Sequence, residues 1–138
     1  MSAEYLSLIA DTASSIGLTN LTAITSRAED YISKETRGTF SVVTARAVSE
    51  LRILSELCLP FCRKGGLFLA MKGKNAENEL KAARKAIPLL GGRLVSSEQD
   101  TLTNGTEEIS RFTVVIQKVT DTPAAYPRPY AKILKSPV

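Results

Sequence analysis

The chain has 138 residues, enough for one domain that buries roughly two-thirds of its unfolded surface, and its 43% hydrophobic content is ordinary for a globular fold. No apolar run approaches the roughly 20 residues of a membrane span, and the opening Met-Ser-Ala-Glu is not a secretory leader, so a cytoplasmic protein with no membrane partner is expected. With no histidine in the chain, Ser/His and Cys/His nucleophile schemes are excluded.

Charge is unevenly placed. Residues 1–110 balance 13 basic against 13 acidic side chains, whereas residues 111–138 carry Arg111, Lys118, Arg128, Lys132 and Lys135 against Asp121 alone, which accounts for the net +4. The two cysteines, Cys58 and Cys62, stand four apart and lack the further ligands that a metal needs. They read as small buried apolar residues in a reducing compartment, and no metal is expected.

In chain order, Ser2–Ile16 has helical spacing: Tyr5, Leu8, Ile9 and Ile16 fall near one face, Ser2 can cap the start and Gly17 can end it. Leu21–Thr25 predicts a short strand, and the following SRAEDY a strand-to-helix turn. Phe40–Ala45 is a run rich in β-branched residues, and Ser49–Cys62 is helical, with Leu51, Leu54, Cys58 and Phe61 as a core stripe and Pro60 limiting its end. Gly65–Gly66 breaks the chain before the apolar run Leu67–Met71. This is a strand, a helix and a strand. Apolar runs without alternation suit parallel strands covered on both faces.

Asn75–Ile87 reads as a surface helix stopped by Pro88, with Leu80, Ala83 and Ile87 inward. A strand at Arg93–Ser97 follows Gly91–Gly92, the polar Glu98–Glu108 holds a loop or hairpin turn at Asn104-Gly105, and Arg111–Val119 returns as a strand. The prolines at 123, 127, 129 and 137 predict an extended basic tail. The fold class expected is α/β, with a domain at 1–119, a tail at 120–138, and an antiparallel hairpin as the last two strands. Arg46 and Lys72 each follow a parallel strand, and the carboxyl ends of such strands are where open α/β sheets bind ligands. The two cations are therefore expected on one rim.

Taken together and in order, SRAEDY, VVTARAV, LSELCLPF, LFLAMKG, ISRFTVVIQKV and TPAAYPRPYAKILKSP resemble the RsmG (GidB) family over about residues 3–138. That family methylates guanine N7 in 16S ribosomal RNA of the small subunit. The resemblance implies a Rossmann-like methyltransferase sheet, of which this sequence carries strands 3 to 7 of the family order 3-2-1-4-5-7-6, and S-adenosyl-L-methionine as cofactor.

It also implies roles for particular residues. Ala28 and Glu29 would meet the adenosine end of the cofactor, Arg27 beside them is a further cofactor-binding position, and Arg46 would sit in the cofactor and substrate pocket. Arg46 and Lys72 are the catalytic pair this implies, and Lys72, Arg111, Arg128, Lys132 and Lys135 are the RNA-binding cations. Because guanine N7 is itself nucleophilic, alignment and charge placement would carry the reaction, and well-oriented partners gain about 7–11 kcal/mol.

The family's glycine-rich cofactor loop has no counterpart, since the eight glycines form no G-x-G. Strand Leu21–Thr25 would therefore lack its family neighbour, and is expected either to close beside Phe40–Ala45 or to pair with a second copy. Two other functional readings stand beside the enzyme: a non-catalytic RNA-binding remnant, and a half-domain that needs the glycine-rich part in trans. Residue by residue the ordinary alternatives are rim cations at Arg46 and Lys72, a helix start at Ala28–Glu29, solvated or ion-paired arginines at 27 and 111, and tyrosines that pack the tail.

Overall fold

A computed structural model describes residues 2–46 and 49–138. A four-stranded sheet is ordered β1-β2-β4-β3, with β1 at Phe40–Arg46, β2 at Cys62–Lys72, β3 at Gly92–Asn104 and β4 at Glu107–Lys118. β1 and β2 are parallel, while β4 runs antiparallel to both β2 and β3. This is the 4-5-7-6 portion of the expected order, including the terminal hairpin. That hairpin is longer than the sequence indicates: the polar residues 98–104 continue β3, and the chain turns at Gly105 with φ +65°.

Between β1 and β2 the chain forms α3, Leu51–Cys58, followed by a 3-10 turn at Leu59–Phe61 that takes Pro60 without loss of a helical hydrogen bond. α4 (Ala76–Ala83) and α5 (Ala86–Leu89) replace the single helix expected over Asn75–Ile87. Pro88 lies inside the first turn of α5, where its missing N–H costs nothing, rather than acting as a stop. These helices cover one face of the sheet. Leu51, Leu54, Leu59, Phe68, Ala70, Ala83, Ala86, Ile87, Leu90, Val114 and Ile116 form the core between them.

The glycines at 65 and 66 do break the β1–β2 ladder. Pairing jumps from Phe40 with Cys62 to Val42 with Leu67, Gly65 has φ +81°, and a Cβ on Gly66 would lie 2.8 Å from the Ser41 carbonyl oxygen. Only glycine passes there.

Three expectations are corrected. Leu21–Thr25 forms no strand: the segment is irregular, with Leu21 and Ile24 exposed. A strand forms only by satisfying its backbone through a neighbour, and this segment does not pair with β1. Closure beside β1 is thereby contradicted. The tail is not wholly extended either, because α6 spans Tyr130–Lys135 after Pro129 and seats the fully buried Ile133 against the domain. Finally, α1 (Ala3–Ser15) forms and ends at Gly17 with φ +79°, but Ser2 makes no side-chain cap and the apolar stripe faces solvent. Tyr5, Leu8 and Ile16 are each about two-thirds exposed, at 64%, 60% and 69%.

Exposed apolar residues also lie on the face of the sheet away from α3, at Val42 and Met71. β1 has β2 as its partner on one side and no strand on the other among the described residues.

Candidate active site

The two cations expected on one rim stand on different faces of the sheet. Arg46 pairs with Met71, and Lys72 pairs with Phe112. Because successive strand residues point to opposite faces, Arg46 and Met71 stand on the open face while Lys72 stands on the helix-covered one. Arg46 and Lys72 thus share an end of the sheet and not a pocket. Arg111, one residue before Phe112, belongs to the open face with Arg46, and its Nη1 lies 3.8 Å from where a Cβ on Gly73 would be. Both arginines are exposed.

Lys72 is only 6% exposed. Its ammonium donates to the Ser49 carbonyl oxygen and lies 2.8 Å from Oε2 of Glu79, which also accepts the Leu51 N–H at 2.8 Å. Glu79 therefore caps α3 from another helix. The N-cap position of α3 is Glu50, which makes no side-chain cap of its own. Lys72 and Glu79 together hold Ser49 and Leu51 at the start of α3.

The second place is α2, Ala28–Tyr31, preceded by Arg27. Arg27 Nε donates to Glu29 Oε1 at 2.6 Å, and this bond, with the charge of Glu29, raises the guanidinium's pKa. Its guanidinium carbon lies 4.5 Å from the Tyr130 ring centroid, so α6 sits directly over the turn. Tyr31 stacks on Phe61, with centroids 6.1 Å apart. Arg27, Ala28 and Glu29 are thus brought together, but none of the described contacts joins them to Arg46.

The tail cations divide. Lys132 and Lys135 are exposed on α6. Arg128 is engaged: its Nε and backbone N–H both donate to Glu56 Oε1 at 2.9 Å, and its Nη2 donates to Oε2 at 2.7 Å. Glu56 is fully buried. Sequence reasoning missed it, although a single carboxylate inside the apolar LRILSELCLPF was a signal that some cation must reach it.

Burial pushes the thiol of Cys58 up to about 12 and that of Cys62 up to about 11, and both cysteines are free. Raised values keep both protonated at neutral pH. At pH 8 the folded protein should therefore react with iodoacetamide at least about 100-fold more slowly than the chain in denaturant, because the thiolate is the reacting form. Fast native alkylation at either position would contradict the packing. Among the described residues no His/Cys/Asp/Glu group could hold a metal ion, and no helix is long and apolar enough to cross a membrane.

The sheet order and flanking helices define a methyltransferase-type α/β fold. Two solved structures show the same architecture at low identity: M. jannaschii TYW2 in complex with AdoMet (TM-score 0.59, 12% identity, 86% of this chain and 55% of that one) and an rRNA methylase from Streptococcus thermophilus (0.56, 14%, 86% and 70%). A family profile described as GidB, rRNA small subunit methyltransferase G, matches residues 4–105. The chain is 41% identical over 137 residues to ribosomal RNA small subunit methyltransferase G of Lactobacillus helveticus, and 45% identical over 122 residues to that of Bacillus subtilis. The chain belongs to the GidB family of small-subunit rRNA methyltransferases. It spans about half the length of these relatives, 56% and 50% respectively, while 99% and 88% of its own residues are matched.

Proposed function

We propose that this chain supplies the rim and tail of an S-adenosylmethionine-dependent enzyme that methylates guanine N7 in 16S ribosomal RNA of the small subunit, in the cytoplasm. The single observation that carries this reading is the family match across 4–105, joined to a sheet in which Arg46 and Arg111 stand at the carboxyl end of β1 and beside that of β2.

The residues present fit the cofactor in part. Glu29 has one carboxylate oxygen engaged by Arg27 and the other without a described partner, in a turn suited to an adenine edge, but no glycine-rich turn exists to cradle the methionine end. The cofactor, when bound, supplies an electrophilic methyl group. Arg46 would hold an anionic group, a carboxylate or an RNA phosphate, by charge-assisted hydrogen bonds at the open face, with Arg111 on the same face across β2. Lys72 and Glu79 hold the start of α3 in place.

Titration calorimetry of the chain with S-adenosylmethionine tests the partial cradle. The expected result is no saturable binding by the chain alone and binding once a glycine-rich segment of a relative is added. Tight binding by the chain alone would contradict it.

A specific observation favours the half-domain reading. α1 and the open sheet face present Tyr5, Leu8, Ile16, Val42 and Met71 to solvent, an apolar area suited to the remainder of such a sheet. The free edge of β1 is likewise the strand available for pairing, with that remainder or with a second copy.

The exposed Lys132 and Lys135, together with Arg111, would contact RNA phosphates. Replacing both lysines by alanine should reduce the slope of log K against log salt by roughly 1.4–1.8, at about 0.7–0.9 for each phosphate that is no longer neutralised. An unchanged slope in filter-binding assays would remove the tail from the RNA interface.

A further inference from the structure

At the end of the sheet opposite Arg46, Arg37, Gly38, Pro60, Lys118, Asp121 and Thr122 line a cavity of about 240 Å³. Its cations are not ordinary surface charges. Lys118, at the carboxyl end of β4, is 2% exposed and donates to the carbonyl oxygens of Leu59 at 2.6 Å and Cys62 at 3.1 Å. An ammonium has three N–H donors, so one is left over. Arg37 Nη2 donates to the Tyr126 carbonyl oxygen at 2.6 Å. Its Nη1 is buried, and among the described residues it is the one buried side-chain nitrogen or oxygen without a hydrogen-bond partner.

Asp121 compensates them only in part. It is largely exposed and sits 3.5 Å from Lys64, on the solvent side. The Thr122 hydroxyl is spent on the Leu90 carbonyl oxygen at 2.6 Å. Donors and positive charge therefore converge on a space that a water molecule, at about 30 Å³ of liquid volume, would not fill, and orphaned buried donors call for a ligand or ion.

We propose that this cavity is a binding site for a phosphate group, held by the guanidinium of Arg37 and the ammonium of Lys118. The group can be a free phosphate ion or the 5′-terminal phosphate of a nucleotide or RNA. The site lies at the other end of the strands from the methyltransferase rim and stands independently of it.

The test is a thermal-shift and calorimetric titration of the full chain with inorganic phosphate, against chloride at matched ionic strength, and with a 5′-phosphorylated RNA trinucleotide against its 5′-hydroxyl form. Phosphate should raise Tm saturably where chloride does not. Asp121→Asn, which removes an exposed carboxylate and leaves the fold alone, should tighten phosphate binding about fivefold, the effect of one unit charge a few ångström away in a largely aqueous setting. Arg37→Gln should weaken it at least about tenfold, the loss of a charge-assisted hydrogen bond. Binding of the phosphorylated trinucleotide alongside phosphate assigns a terminal phosphate, and binding of free phosphate alone assigns the ion; both support the site. A response shared by chloride, or phosphate affinity unchanged in Asp121→Asn, overturns it.

Discussion

Arg128→Ala should lower the unfolding free energy by about 3–5 kcal/mol, the cost of removing one partner from a buried ion pair. The asymmetry of the pair decides which variant suffers more. Glu56 is entirely enclosed, while the Arg128 side chain is 21% exposed. Losing the arginine strands a buried carboxylate, whereas after Glu56→Gln the guanidinium can turn outward and be solvated. Glu56→Gln should therefore cost less, and the double variant should recover part of the loss. Urea unfolding of the three variants gives the numbers directly. Equal losses in the two single variants would mean that the pair is not buried as described. Given a typical total of about 5–15 kcal/mol for a domain, Arg128→Ala comes close to unfolding the chain.

Arg46→Ala should leave the fold intact and remove the function. The side chain is exposed on the open face, so its loss should change stability by no more than about 0.5 kcal/mol. In an enzyme completed by the glycine-rich part, loss of two charge-assisted hydrogen bonds of about 1.5–3 kcal/mol each lowers methyl transfer by more than about 100-fold. Lys72→Met behaves in the opposite way. It uncouples Glu79 and the Ser49 carbonyl oxygen, and should cost stability toward the lower end of about 3–5 kcal/mol, with activity falling only as far as the start of α3 is displaced. A melting curve and a single-turnover rate on each variant separate the two roles. Near-normal turnover of Arg46→Ala would show that the rim is not the site.

The parallel pair was legible in the sequence because Phe40–Ala45 and Leu67–Met71 are largely apolar runs, Leu67–Met71 following directly on Gly65–Gly66, and the sheet order follows from one parallel crossover and one hairpin. What could not be read depends on partners far along the chain. Leu21–Thr25 has strand composition but no neighbour to pair with, so local propensity failed where tertiary pairing was absent. The faces of Arg46 and Lys72 follow from a register in which Arg46 meets Met71, and a one-residue slip would have put the two cations on one face. Glu79 capping α3 spans 28 residues and Glu56 reaches Arg128 across 72, separations that no window of residues reveals. The prolines at 127 and 129 suggested an extended tail, yet a proline just before a helix is a favourable start, and α6 follows Pro129.

The most direct measurement is methyl transfer by a chimera in which this chain replaces the corresponding part of the Bacillus subtilis relative, assayed with labelled S-adenosylmethionine on small ribosomal subunits. Labelled guanine in 16S ribosomal RNA is expected from the chimera, and none when Arg46 is alanine. A folded chimera that binds the cofactor but transfers no methyl group, or one indifferent to Arg46, would contradict the assignment of the rim as the site of methyl transfer.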